Sequence, residues 1–310
     1  MPVTERTVDA YEALTQDVAL VDRSDRGKLA LTGSEAKTFL NGQVTNDIEA
    51  LQAGGGCYAA LLTNKGKMLG DLRVIDTGAE LWLDTERVAL QALFDTVRRG
   101  TVGWQAELHK RTVQQALLSL VGPRATEVVG GAVGPEHANR TGEIGGVEVL
   151  LVATDAGVDV VCAAEDAATV RAALAVPEAP EAVAEVVRVE AGRPRYGIDL
   201  DERTIPQEAG LNDRAVSFTK GCYVGQETVA RLHYRGKPNR HLRGLRLSAA
   251  MPPGTLLTLG EREVGTLGSS VVSPRRGPIG LALIRREASP GDELAAGAAT
   301  ATVVELPFQG

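Results

Sequence analysis

The sequence predicts an α+β protein that ends in a small all-β unit, and three observations carry that reading. Its 310 residues suffice for two or three domains of roughly 150 residues, with a core large enough to need no metal or disulfide. The first half alternates short apolar runs of strand length with patterns of helical period. After residue 240 come short β-prone runs separated by glycine and proline, the mark of a small barrel or sandwich.

The elements follow in order. Residues 28–32 read as a strand, and Ser34, after the turn at Gly33, as the N-cap of a short helix through Leu40. Residues 57–63 and 68–75 read as hairpin strands joined by Asn64-Lys65-Gly66-Lys67, where Gly66 can take a positive φ. A strand over 81–84 precedes an amphipathic helix over 86–99, with Val88, Leu93 and Val97 among its apolar positions. A second unit runs from near Gln114: a strand over 116–121, a short helix over 124–129, a hairpin of 147–152 with 158–162, and an Ala-rich helix over 165–174. Both halves share the order strand, helix, hairpin, helix, which suggests two related α+β units. Residues 176–181, with Pro177 and Pro180, read as a linker, and the valine-rich run into Arg188 as a strand. Runs at 242–247, 255–259, 263–267, 279–284 and 301–306 supply the last unit. The expected domains are an α+β region over 1–240, with subdomains of roughly 1–112 and 113–240 that can interleave, and a β-barrel over 241–310.

Composition narrows the function classes. The three cysteines, Cys57, Cys162 and Cys222, are odd in number and contain no CxxC pair, which points to a reducing cytosol rather than a disulfide scaffold. The four histidines show no metal-ligand spacing, so no metal site is expected. Residues 1–20 carry Glu5, Asp9, Glu12 and Asp17 and lack the apolar stretch of a signal peptide. No run approaches the roughly 18 apolar residues of a membrane helix, so a cytoplasmic, soluble protein is expected.

The formal charge of −7 hides an asymmetry. Residues 220–246 hold seven basic side chains (Lys220, Arg231, Arg235, Lys237, Arg240, Arg243, Arg246) against Glu227, a local +6 that leaves −13 on the remainder. With Tyr223, His233 and Tyr234 interleaved, the run can be read as a nucleic-acid patch. It can also be read as a small-anion site, and the acidity of the remainder favours that.

Candidate chemistry concentrates between Arg188 and Arg243. Arg188, Glu190 and Gly192 form an R-x-E-x-G string, and on a strand the first two would share a face. A long polar segment with Asp199, Asp201, Thr204 and Glu208 follows, of the length that functional loops have. In Lys220-Gly221-Cys222-Tyr223-Val224-Gly225-Gln226-Glu227, glycines flank a thiol beside cations that would favour its thiolate, so Cys222 reads as reactive. Cys57 and Cys162 lie in strand runs and read as structural. A Cys222–His233 hydrolase pair is one option the types allow. Gly54-Gly55-Gly56 leads into a strand, not a helix, and is no phosphate loop.

The octapeptide K-G-C-Y-x-G-Q-E, with the Gly42-Gln43-Val44-Thr45-Asn46-Asp47, Asn64-Lys65-Gly66-Lys67-Met68 and R-x-E-x-G strings, resembles the YgfZ family. These are folate-dependent proteins of iron–sulfur cluster assembly or repair, within the superfamily of the glycine-cleavage T-protein, an aminomethyltransferase. The resemblance implies a three-domain cloverleaf around a folate channel, with two α+β folate-binding subdomains and a C-terminal β-barrel. It implies tetrahydrofolate or a one-carbon derivative as cofactor, iron–sulfur client proteins or assembly factors as partners, and a monomer; hydropathy and charge balance argue against a membrane and a nucleic-acid partner. Glu190 takes the role of the pterin-gripping carboxylate, with Arg188 orienting it or touching the folate. Lys220, Arg231 and Arg240 become candidates for the folate's glutamate tail, and Tyr223 and Gln226 join the binding set. Cys222 becomes the working thiolate. Asp71 falls where the T-protein has an Asp-Asp pair; Gly70-Asp71 keeps one acid only, which counts against aminomethyl transfer. A folate-dependent aminomethyltransferase and a tRNA-binding module are the rival expectations.

Overall fold

The computed structural model describes residues 4–309. From the amino end run α1 (Glu5–Gln16), β1 (Ala19–Asp22), β2 (Gly27–Thr32), α2 (Ala36–Gln43), β3 (Gly56–Leu62), β4 (Met68–Asp76), β5 (Leu81–Thr85), α3 (Leu90–Gly100) and β6 (Glu107–Lys110). The second unit comprises β7 (Gln115–Val121), α4 (Ala125–Val128), β8 (Asn139–Ile144), β9 (Val147–Thr154), β10 (Gly157–Ala163) and α5 (Ala167–Leu174). Then come α6 (Glu181–Glu190), α7 (Asn212–Ala215) and α8 (Gln226–Arg235). The last unit is β11 (Arg240–Leu247), β12 (Leu256–Leu259), β13 (Arg262–Ser273), β14 (Gly277–Arg285), β15 (Glu293–Ala296) and β16 (Ala299–Val304).

The α+β class holds, with a closed barrel at the carboxyl end. The first sheet has the order β3-β4-β5-β2-β6 and the second β1-β7-β10-β9-β8, both antiparallel. Reading the second order backwards matches β8, β9, β10 and β7 to β3, β4, β5 and β2. The fifth strand differs: β6 follows its own unit, whereas β1 precedes the first unit and pairs with β7, so the chain interleaves. The barrel closes in the order β11-β14-β13-β12-β15-β16.

Local chemistry explains most elements. In the β3–β4 turn, Gly66 has φ 74° and its N–H donates to Thr63 O, as a tight hairpin requires. Leu93 and Val97 are buried on one face of α3. Val88 is 65% exposed, because the helix begins two residues later at Leu90. Ser34 is not a cap: α2 starts at Ala36 with Glu35 in the N-cap position.

The valine-rich run is a helix, not a strand. β-Branched residues favour strands only weakly, and packing overrides that preference. Val183, Val186 and Val189 recur every three residues and are buried. Val183 and Val186 pack with Tyr11 and Leu14 of α1, and Val189 with Ile279, Leu281 and Phe308 of the barrel side. α6 thus wedges between the second sheet and the barrel. On a helix, residues i and i+2 point well apart, so Arg188 and Glu190 do not share a face. The segment read as a linker is paired as well, through Leu20 N–H to Pro177 O (2.8 Å) and Ala179 N–H to Leu20 O (2.8 Å).

Candidate functional site

A cavity of about 670 Å³ lies among the two sheets and α6. Seven arginines and six carboxylates line it, a slight positive excess that suits an anionic ligand. β4 supplies Asp71 and Arg73, two positions apart and so on one face of the strand. Arg26 grips both oxygens of Asp84 at 2.8 and 2.9 Å. Arg73 joins Asp84 at 2.7 Å to Asp159 at 2.7 Å, tying one sheet to the other. Burial alone would raise the Asp84 carboxyl, but Arg26 and Arg73 outweigh it and hold it down at about 2.

Asp71 is the exception among these carboxylates. It is buried, and its side chain accepts the Tyr58 O–H at 2.5 Å. Burial pushes its carboxyl up to about 6, against the pull of Tyr58. A carboxyl poised near neutrality in a lined cavity suits proton transfer to or from a bound molecule. Gly70 points the other way. A Cβ there would come within 2.7 Å of Ala89 Cβ at the start of α3. The single acid this chain keeps is therefore the one on the cavity face.

The other sequence candidates disperse. Arg188 lines the cavity but is committed to Glu185 at 2.8 Å and Asp199 at 3.0 Å. Glu190, expected as the ligand carboxylate, is not among the lining residues. It accepts from Tyr11 O–H at 2.8 Å and from Ser273 Oγ, and its own carbonyl receives Phe308 N–H at 3.2 Å. Its role here is to join α1, α6 and the barrel. The helical geometry of α6 turns Glu190 away from the face that carries Ala184, Val187 and Arg188, so the shared face expected of Arg188 and Glu190 on a strand is not formed.

None of the seven basic residues of 220–246 lines the cavity. Lys220 Nζ donates to the carbonyls of Asn41 (2.5 Å), Val44 (2.9 Å) and Asn46 (2.6 Å), around the end of α2. Its three donors are thereby used, so it serves neither a glutamate tail nor the Cys222 thiol; burial lowers it to about 8. Arg240 pairs with Glu208 at 2.8 Å and Arg243 with Glu305 at 3.0 Å. Among the described residues, Arg231, Arg235 and Lys237 have no acidic partner and are exposed. His233 stacks on Phe218 at 3.8 Å between centroids, and no hydrogen bond joins it to Cys222, which leaves the hydrolase pair without support.

Around Cys222 three of the four motif strings of the sequence meet. Lys220 binds the 41–46 segment, Val224 N–H donates to Gly42 O at 3.2 Å, and Gly225 abuts the 63–66 turn. Gly225 has φ 85°, and a Cβ on it would stand 2.6 Å from Thr63 O. Tyr223 is buried beneath Lys220, and burial raises its hydroxyl to about 12. Gln226 opens α8 with its N–H on Tyr223 O. Cys222 itself is exposed. Cys162 is buried and Cys57 half-buried, its thiol raised to about 12 by burial.

Sequence reasoning missed Arg26, Tyr58, Arg73, Asp84, His137 and Asp159. The signal was present as charged residues inside apolar strands, as in Leu81-Trp82-Leu83-Asp84 and Val158-Asp159-Val160. A charge is buried in such a place only with a partner. Among the described residues no cluster of potential metal ligands occurs, and no helix is long and apolar enough to cross a membrane.

Two family models cover most of the chain: the GCVT N-terminal domain over residues 2–220 and the CAF17 C-terminal β-barrel domain over 240–308. A putative transferase of Arabidopsis thaliana, At1g60990, described as chloroplastic, is 27% identical over 97% of this chain and 73% of its own length. An aminomethyltransferase of Geobacillus kaustophilus is 27% identical over 93% and 85%. The tRNA-modifying protein YgfZ of Colwellia psychrerythraea is 26% identical over 72% and 70%. In fold, the glycine cleavage system aminomethyltransferase T of Bartonella henselae superimposes with a TM-score of 0.88 at 21% identity, covering 98% of this chain and 89% of that one. The chain belongs to the glycine-cleavage T-protein superfamily, with a GCVT N-terminal domain and a CAF17-type C-terminal barrel.

Proposed function

We propose that the chain binds tetrahydrofolate, or a one-carbon derivative, in the cavity between the sheets, and that it supports iron–sulfur proteins through Cys222. The observation that carries the first half is the Tyr58–Asp71 pair facing a positively biased cavity of about 670 Å³. That volume falls within the several hundred Å³ usual for small-molecule sites. Arginine forks suit the carboxylates of a glutamate tail, and Asp71, half-ionised near pH 6, can take or give a proton at a ring nitrogen. Bound tetrahydrofolate would accept a one-carbon unit and a one-carbon derivative would supply one; the protein's part is to orient the ligand and move that proton.

Exposure of Cys222 on a loop anchored at three points supports the second half. One cysteine cannot hold a cluster that takes four thiolates, so its part is transient: lending one ligand, exchanging a disulfide, or forming an adduct. The resemblance of the octapeptide around Cys222 to the YgfZ family supports this reading. In a strain deleted for the gene, the wild-type chain should restore iron–sulfur enzyme activities and Cys222→Ser should not; full restoration by Cys222→Ser removes the cysteine from the account.

A second reading, folate-dependent aminomethyl transfer, is favoured by one observation: the acid retained at Asp71 is the one that faces the cavity. Turnover of an aminomethyl-lipoyl carrier by the purified chain, lost in Asp71→Asn, would establish it.

A further inference from the structure

His137 lines the cavity under two unfavourable conditions at once. Its φ is 71°, a left-handed backbone that most side-chain-bearing residues avoid, that persists where the surrounding structure over-determines it and that clusters at ligand sites. The residue is 9% exposed, and its Nδ1 is sealed without a hydrogen-bond partner among the described residues. Neighbouring pairing holds the strain in place: His137 N–H donates to Ala153 O and Asn139 N–H to Gly54 O, both at 2.8 Å.

The chemistry of the ring follows from its neighbours. A buried orphan lone pair is tolerated better than a buried orphan N–H, so the proton belongs on Nε2. Glu136 Oε1 lies 3.6 Å from Nε2, too far for a hydrogen bond but placed to favour the same tautomer. Burial, with Arg73 and Arg214 adding to it, outweighs Glu136 and Asp155 and lowers the imidazole to about 4, so it is neutral at physiological pH. A neutral ring with an Nε2–H at the cavity wall is a donor lacking an acceptor at hydrogen-bonding distance.

We propose that His137 is a ligand-binding residue of this cavity, whose Nε2–H donates to a carbonyl oxygen or ring nitrogen of an uncharged heteroaromatic ring. The inference rests on the folate reading, since a pterin carries such acceptors.

Titration of folic acid into the purified full chain, with heat unfolding measured beside it, tests this on three proteins. Wild type should bind. His137→Gly, which removes the donor and relieves the backbone, should bind about tenfold more weakly, the loss of one buried hydrogen bond, yet unfold at no lower temperature. His137→Gln, which restores an N–H at similar reach, should stay within about threefold of wild type. Wild-type affinity in His137→Gly overturns the inference, as does equal weakening of both variants accompanied by lower unfolding temperatures, the result for a residue of structural role only. Absence of folate binding by wild type itself brings down the folate reading and this inference together.

Discussion

The cavity and the cysteine loop are built by opposite means. The cavity is a set of largely buried charges drawn from distant stretches: Arg26, Arg73, Asp84 and Asp159, held by ion pairs of 2.7 to 2.9 Å, and Asp71, hydrogen-bonded to Tyr58. The loop is held by backbone: carbonyls gathered on Lys220 and a glycine pressed against a turn, leaving the Cys222 thiol outside. The β3–β4 hairpin joins the two regions, with Tyr58 and Asp71 at the cavity and Gly66 at the loop, about 20 Å apart along the strands. On the proposed function the cavity works through electrostatics and the loop through exposure, so the two should respond separately to mutation and pH.

The largest effect expected is at the centre of the cavity. Asp84→Ala leaves two largely buried arginines without their shared partner and should cost about 3–5 kcal/mol in denaturant unfolding. Survival of wild-type stability would mean that the cavity charges are solvated rather than buried.

That prediction marks what the sequence withheld. The loop was legible because its requirements are contiguous: glycines, a lysine and a turn at short spacing. The barrel was legible through its Gly and Pro punctuation, and the hairpin through Asn64 to Lys67. The cavity was not, because Asp84, Asp159 and Arg73 are single letters within apolar strands and no spacing rule joins them. Asp71 was found only through resemblance. The shared face of Arg188 and Glu190 fails because the valine run reads with a period of two, whereas tertiary packing gives it the period of a helix.

Next in size is the effect of pH. Asp84, lowered from the usual 3.8 to about 2, contributes stability that is fully present above pH 4 and lost as pH falls towards 2. Asp71 has the opposite sign. Raised from 3.8 to about 6, it binds more protons when folded, so stability falls as pH rises from 4 to 6. Asp71→Asn should flatten the second slope, on the order of 2 kcal/mol, and leave the first. An unchanged profile between pH 4 and 6 would show that Asp71 titrates normally.

In the loop, Gly225→Ala should lower stability by about 1–3 kcal/mol, because a Cβ meets Thr63 O at a positive φ. The smallest effect is predicted for Cys222→Ser, less than about 0.5 kcal/mol and no change in folate affinity, despite its loss of function in cells. A Cys222→Ser protein that binds folate more weakly would join the two regions into one site.

The central claim is that the cavity, and not the basic run, holds the folate. Parallel titration of wild type, Asp71→Asn and an Arg231→Glu, Arg235→Glu double variant with tetrahydrofolate tests it most directly. Affinity should fall about tenfold in Asp71→Asn and stay unchanged in the double variant. Unchanged binding by Asp71→Asn with loss in the double variant would contradict the account and return the ligand to the basic run.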